Sequence, residues 1–259
     1  VNLLSRGTYK CAINQFLIWV TVSKLDFWKI KKFNIIQYKD HLLKSGKSLY
    51  TVDLYMTVVR KLFQWLEDRG LTTNVASGVR SPKKRNDFRK GYLKIEQVKK
   101  LLDSIDQGSI IGKRDFAMIS LMVRAGFRRV EICRMTVEDV KNEEQITIRL
   151  QRKGHLEKDV EVGITSKMLE AIHDYIICRG DITESDYLFV SHARGYKEAK
   201  LNPVMVSRIV KRRLREIGLD SKFLTCHSLR HTAAILSLKA GATIYDVQQM
   251  LASKLLKSI

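Results

Sequence analysis

Two short stretches carry residue types suited to work on a phosphate. His227-Ser228-Leu229-Arg230-His231 sets two histidines four apart around an arginine, and Gly126-Phe127-Arg128 lies well upstream. A phosphate that accepts an extra oxygen partner gains negative charge, so catalysis there is mostly positioning and charge stabilisation. Arginine fits the task, because its planar fork grips two oxygens and stays protonated. Gly126 permits a tight backbone that would admit Arg128 to a cleft. Arg230 is expected in the first turn of a helix, where unpaired backbone N–H groups also favour an anion. Taken alone, each arginine reads as a surface residue; the phosphate reading accounts for Arg230, His227 and His231 together. The two histidines share a helix face, a zinc-type spacing, but no Glu follows His227 and no third ligand is evident, so no metal is expected. Either histidine reads equally as a core or capping residue. Lys153, in Arg152-Lys153-Gly154, falls at an expected hairpin tip. By its physics it is an ordinary turn lysine, yet from such a tip it could reach a groove and give a proton to a leaving hydroxyl.

The elements that must hold these residues are legible from periodicity. Residues 1–78 read as helical: Tyr9, Ala12, Phe16 and Trp19 recur at helical spacing, Asn34 to Leu43 carries an apolar face, and Ser48 caps a longer helix stopped by Gly70. At Val20-Thr21-Val22 a helix ends without a turn residue, so a short polar loop is expected there, with a few residues missing. Gly78 to Lys100 holds nine Lys or Arg against Asp87 and Glu96, with Pro82 in its first part. A basic, proline-marked run between two folded regions reads as a linker over 79–92, and equally as a solvated face or a strap that tracks phosphates. Beyond it, helices are expected at Ile95–Ser104, Lys113–Arg124, Thr165–Arg179, Pro203–Ile217, His227–Ala240 and Tyr245–Leu251, and strands at Gln145–Leu150, Lys158–Val162 and Tyr187–Val190. The fold class is therefore mainly α with a small antiparallel sheet. The helix from Pro203 carries Arg208, Lys211, Arg212, Arg213 and Arg215 with no acid among them. It is a candidate for contact with a nucleic-acid groove or backbone, or simply a solvated basic face.

Composition narrows the partner. The 259 residues carry 47 Lys and Arg against 27 Asp and Glu, a formal charge of +20, which points to a polyanion. No apolar run reaches the ~20 residues that span a bilayer, and no signal-peptide pattern is present. The four cysteines, Cys11, Cys133, Cys178 and Cys226, form no CxxC pair. They read as small buried hydrophobes in a reducing compartment.

The two arginine stretches resemble the boxes of the tyrosine site-specific recombinases, the family of phage integrases and Xer-type recombinases. Ala125-Gly126-Phe127-Arg128-Arg129-Val130-Glu131-Ile132 is similar to the first box, Arg152-Lys153-Gly154 to the hairpin lysine, and His227-x-x-Arg230-His231 to the second box. Gly241 to Leu251 resembles the helix that follows, and the order matches along nearly the whole chain. The resemblance implies a core-binding, SAM-like DNA-binding domain over 1–78 and an α+β catalytic domain over 93–259. It places Arg128, Lys153, His227 and Arg230 around the scissile phosphate, with Glu131 and His231 in support. The arginines would stabilise the transition state, Lys153 would protonate the leaving 5′ oxygen, and a tyrosine would attack to leave a 3′-phosphotyrosyl bond. Neither metal nor cofactor is implied. The implied partners are a double-stranded DNA recombination site, further copies of the chain in a dimer or tetramer on DNA, and accessory DNA-bending proteins; the implied setting is prokaryotic, cytoplasmic and nucleoid-associated. Lys83, Lys84, Arg85, Arg89, Lys90, Arg208, Lys211 and Arg212 are the candidate DNA contacts.

The resemblance breaks after Leu251. Where the family shows Gly-His and then a tyrosine, this sequence reads Ala252-Ser253-Lys254-Leu255-Leu256-Lys257-Ser258-Ile259. Tyr245 is the only tyrosine after Tyr196, and it is set aside as nucleophile because its place early in a helix is expected to face the core. Three accounts are open: a tyrosine segment missing from the sequence between Leu251 and Ala252, a shortened chain, or a relative that binds without cutting. The first is favoured, because Lys254–Ile259 reads as an amphipathic tail rather than the lost box. A type IB topoisomerase-like activity and RNA binding are weaker alternatives, the latter for want of a stacking-aromatic motif.

Overall fold

The structure, a computed structural model, describes residues 3–82, 91–151, 157–193, 195 and 198–251. The chain divides into two compact units, Val1–Phe88 and Arg89–Ile259.

The first unit is built from α1 (Leu3–Val22), α2 (Lys32–Lys44) and α3 (Leu49–Glu67). Ser48 caps α3 by accepting from the Thr51 N–H, and Val52, Met56, Val59, Phe63 and Leu66 form its buried stripe at helical spacing. Phe16 of α1 meets Tyr38 of α2 edge-on at 4.9 Å between ring centroids, the geometry aromatic pairs prefer. Val20-Thr21-Val22 is not the loop expected from the sequence. The helix runs through Val22, because Val20 is buried in the core. The turn comes at Lys24, held at φ 54°, while the Leu25 N–H returns to the Val20 carbonyl at 3.0 Å. Among the cysteines, only Cys133 and Cys226 are buried; Cys11 and Cys178 are exposed, which corrects the expectation for those two.

The second unit contains α4 (Ile95–Asp103), α5 (Ile110–Ser120), α6 (Arg129–Arg134), α7 (Ser166–Arg179), α8 (Pro203–Glu216), α9 (Cys226–Lys239) and α10 (Ile244–Met250). An antiparallel sheet in the order β1-β2-β3 joins β1 (Val140–Asn142), β2 (Ile146–Leu150) and β3 (Val160–Gly163). Ile148 pairs with Val162 across the sheet, and both are buried. The first strand escaped the sequence reading because it is short and half polar. Tyr187–Val190 is not a strand of this sheet but makes single bridges, Thr136 to Tyr187 and Val190 to Lys200. Guanidinium groups take the carbonyls a neighbouring strand would need: Arg179 donates to Tyr187 O at 2.7 Å, and Arg114 donates to Val190 O at 3.1 Å.

The element that matters most for the site is the end of α5. The helix expected to run on to Arg124 stops being α-helical at Ser120 and continues as a π-helix over Leu121–Ala125, a wider turn often found at functional places. Leu121, Met122, Val123 and Ala125 of this turn are buried, and it packs against α9. Gly126 then reverses the chain at φ 72°, a conformation that costs other residues about 1–2 kcal/mol. Phe127 follows, fully buried at 1% exposure, an anchor worth roughly 2–3 kcal/mol by area. The next residue, Arg128, is thereby aimed out of the core.

Candidate active site

Arg128 is the N-cap of α6 and Glu131 is the third residue of its first turn. The Glu131 carboxylate accepts the Arg128 backbone N–H at 2.7 Å and its guanidinium at 2.5 Å. Glu131 is only 4% exposed, and a buried carboxylate needs such a partner. One nitrogen of Arg128 is thus used to orient the side chain, and the rest of its fork is left for an anion.

Arg230 is the fifth residue of α9, one residue further in than the sequence implied, because the helix begins at Cys226 rather than His227. Its position is set by two backbone carbonyls: Nη1 donates to Gly126 O and Nη2 to Leu251 O, both at 2.5 Å. Burial, and then the neighbouring charge of Arg128, push its pKa down to about 10, while Glu131 opposes the shift. Two guanidinium groups therefore repel each other across a partly desolvated space, and an oxyanion between them relieves that repulsion.

Arg128, Arg230 and His227 open on one cleft of about 830 Å³, whose lining also includes Arg129, Lys211, Ser207, Thr225 and Cys226. Burial raises the Cys226 thiol above its ordinary pKa, so it stays protonated. Among the described residues no group of His, Cys, Asp or Glu could hold a metal ion. The arrangement can grip a phosphate with two oriented arginines and a histidine in reach of it.

The comparisons with known proteins now bear on this cleft. The Phage integrase family model matches residues 91–257, and the phage integrase N-terminal SAM-like domain matches 3–70. The chain belongs to the phage integrase family, the tyrosine recombinases. A tyrosine recombinase of Pseudothermotoga lettingae is 30% identical over 92% of this chain and 79% of its own length. Tyrosine recombinase XerA of Pyrococcus horikoshii is 31% identical, over 83% of this chain and 70% of the relative. Among solved structures, the XerH recombinase in a post-cleavage complex with its palindromic substrate superposes with a TM-score of 0.79 at 21% identity, covering 98% of this chain and 74% of that one. A lambda integrase dimer bound to a core site gives 0.73 at 18% identity, covering 98% and 89%. These two likenesses carry the two-domain fold.

The positions singled out for this recombinase separate in the structure. His227 lies in the cleft, whereas His231 lies outside its lining and meets the Tyr92 ring edge-on at 6.4 Å. Lys153 lies outside the described residues, as do Lys83, Lys84, Arg85, Arg89 and Lys90. Within α8, Lys211 reaches the cleft, Arg208 is exposed, and Arg212 turns to Asp115 at 2.9 Å. Asp115, fully buried, also takes Arg114 and Arg213, each at 2.7 Å. Tyr245 is 77% exposed, so the expectation that it faces the core fails. It is not part of the cleft lining, and that is the sounder reason to set it aside. Sequence reasoning missed Arg129 and Ser207, whose contact at 2.8 Å joins residues 78 apart in the chain. Only the position of Arg129 beside Arg128 could have drawn attention to it.

Proposed function

We propose that this recombinase cuts and rejoins duplex DNA through a 3′-phosphotyrosyl intermediate, and that the cleft is its phosphate site. The observation that carries the reading is the convergence of Arg128 and Arg230 on one cleft, each already oriented by the protein. Arg128 and Arg230 take the non-bridging oxygens, whose charge grows as the phosphorus gains its fifth oxygen. His227 holds or moves a proton at the same phosphate. Lys153 protonates the departing 5′ oxygen, and Glu131 keeps Arg128 in place. Residues 1–78 and the basic run over 79–92 add grip on the duplex, and copies of the chain assemble on the DNA.

A second reading is a relative that binds DNA without cutting it. One assay separates the two. The polypeptide is incubated with a nicked duplex that traps covalent adducts, after its intact mass is compared with 29.9 kDa. The first reading expects a larger mass, a tyrosine peptide beyond Leu251 and a DNA adduct lost by over a hundredfold in Arg230→Ala. An Arg230→Ala protein that cleaves normally would overturn the site. Tight, salt-sensitive binding with no adduct from the complete polypeptide supports the second reading.

A further inference from the structure

The cleft is larger and more positive than one phosphate requires. Its volume of about 830 Å³ lies in the range that holds whole ligands rather than a single group. Among the described residues four cationic side chains line it, Arg128, Arg129, Lys211 and Arg230, and no carboxylate does. One phosphodiester carries a single negative charge, and the Arg128/Arg230 pair already accounts for it.

The other two cations are organised. Ser207 and Lys211 are four apart on α8 and therefore share a face. The Ser207 hydroxyl donates to Pro203 O at 2.9 Å, so its oxygen is fixed as an acceptor for Arg129, which donates at 2.8 Å. Lys211 Nζ donates to Ser221 O and pairs with Asp220, both at 2.7 Å. The side chain of Asp220 is half exposed, and an exposed ion pair is weak enough for a phosphate to displace. The neighbouring Arg212 and Arg213 are different: their charge is directed to the buried Asp115. Within α8, Lys211 is thus the cation that belongs to the cleft.

We infer that Arg129, oriented by Ser207, and Lys211, oriented by Ser221 and Asp220, form a second phosphate seat that holds a phosphodiester flanking the one between Arg128 and Arg230. Successive phosphates follow every ~3.4 Å of rise along a strand, so a strand laid in the cleft brings a neighbour to this wall. The seat fixes the register of the strand and reads no base. It rests on the reading of the cleft as the phosphate site.

The test is equilibrium binding of a mixed-sequence duplex over a salt series, by fluorescence anisotropy. Arg129→Gln and Lys211→Gln should each weaken binding equally for all sequences and lower the slope of log K against log salt by about one. Lys167→Gln, an exposed position on α7 away from the cleft, should leave the slope unchanged. Arg129 is exposed, so its replacement does not threaten the fold; a circular dichroism melt confirms this for each variant. If Arg129→Gln and Lys211→Gln keep the parent slope while Arg128→Gln loses about one, the second seat is wrong and the first stands. If Arg128→Gln also keeps the parent slope, the cleft is not the phosphate site and both readings fall.

Discussion

Gly126 and Arg230 show how a site can depend on backbone as much as on side chains. A methyl group on Gly126 would lie 2.5 Å from Leu251 Cδ2, and its φ of 72° is costly for any L side chain. Gly126→Ala should therefore destabilise the protein by about 2–4 kcal/mol, from backbone strain plus overpacking. Leu251→Ala added to it should recover the packing part and leave the backbone part, a coupling that urea denaturation of both singles and the double variant will read. The two arginines stood out by residue type, and the family resemblance brought them together; the structure lines one cleft with both. That Arg230 is held by the carbonyls of Gly126 and Leu251 was not legible in the sequence. Backbone acceptors leave no mark in residue identity, and these two lie 104 and 21 residues away.

At the scale of elements, the helices were readable where they bury one face. The stripe from Val52 to Leu66 and the cap at Ser48 needed no partner to be recognised. The π turn at Leu121–Ala125, the strand Val140–Asn142 and the broken segment at Tyr187–Val190 were not readable, because each is decided by what packs on it or takes its carbonyls. α10 is a short helix whose start hangs on one carboxylate: Asp246 accepts the Thr243 N–H at 2.7 Å and its hydroxyl at 2.6 Å. Those bonds hold the Asp246 carboxyl below its ordinary pKa. A depressed carboxylate contributes stability that is complete above its unfolded value near ~3.9 and disappears as pH falls through the lower folded value. The protection of amides 244–250 from hydrogen exchange, taken relative to their intrinsic rates, should therefore fall in that acid window. In Asp246→Ala it should be low already at neutral pH, and its acid dependence should be lost.

For the whole molecule, the two units have separate apolar cores. Phe16, Ile35, Tyr38, Leu42, Val52, Met56 and Val59 are completely buried within the first unit. Residues 1–82 produced alone should therefore show a helical circular dichroism spectrum and a cooperative urea transition; a featureless, non-cooperative curve would show that this core needs the remainder of the chain. The net charge of +20 and the helical composition were visible in the sequence, and with them the class of partner. The placing of charges was not: nothing in the spelling of α8 separates Lys211, in the cleft, from Arg212, tied to Asp115.

The bond from Arg230 to the Leu251 carbonyl also has a bearing on biosynthesis. A chain leaves the ribosome from its N-terminus, and Arg128 and Arg230 are both made before Leu251. Until that last turn of α10 emerges and docks, Arg230 has one of its two carbonyl holders and no fixed direction. A nascent or clipped chain can then carry both arginines and most of its positive charge without the second holder of Arg230. The hold on Arg230 is thus completed only once Leu251 has been made.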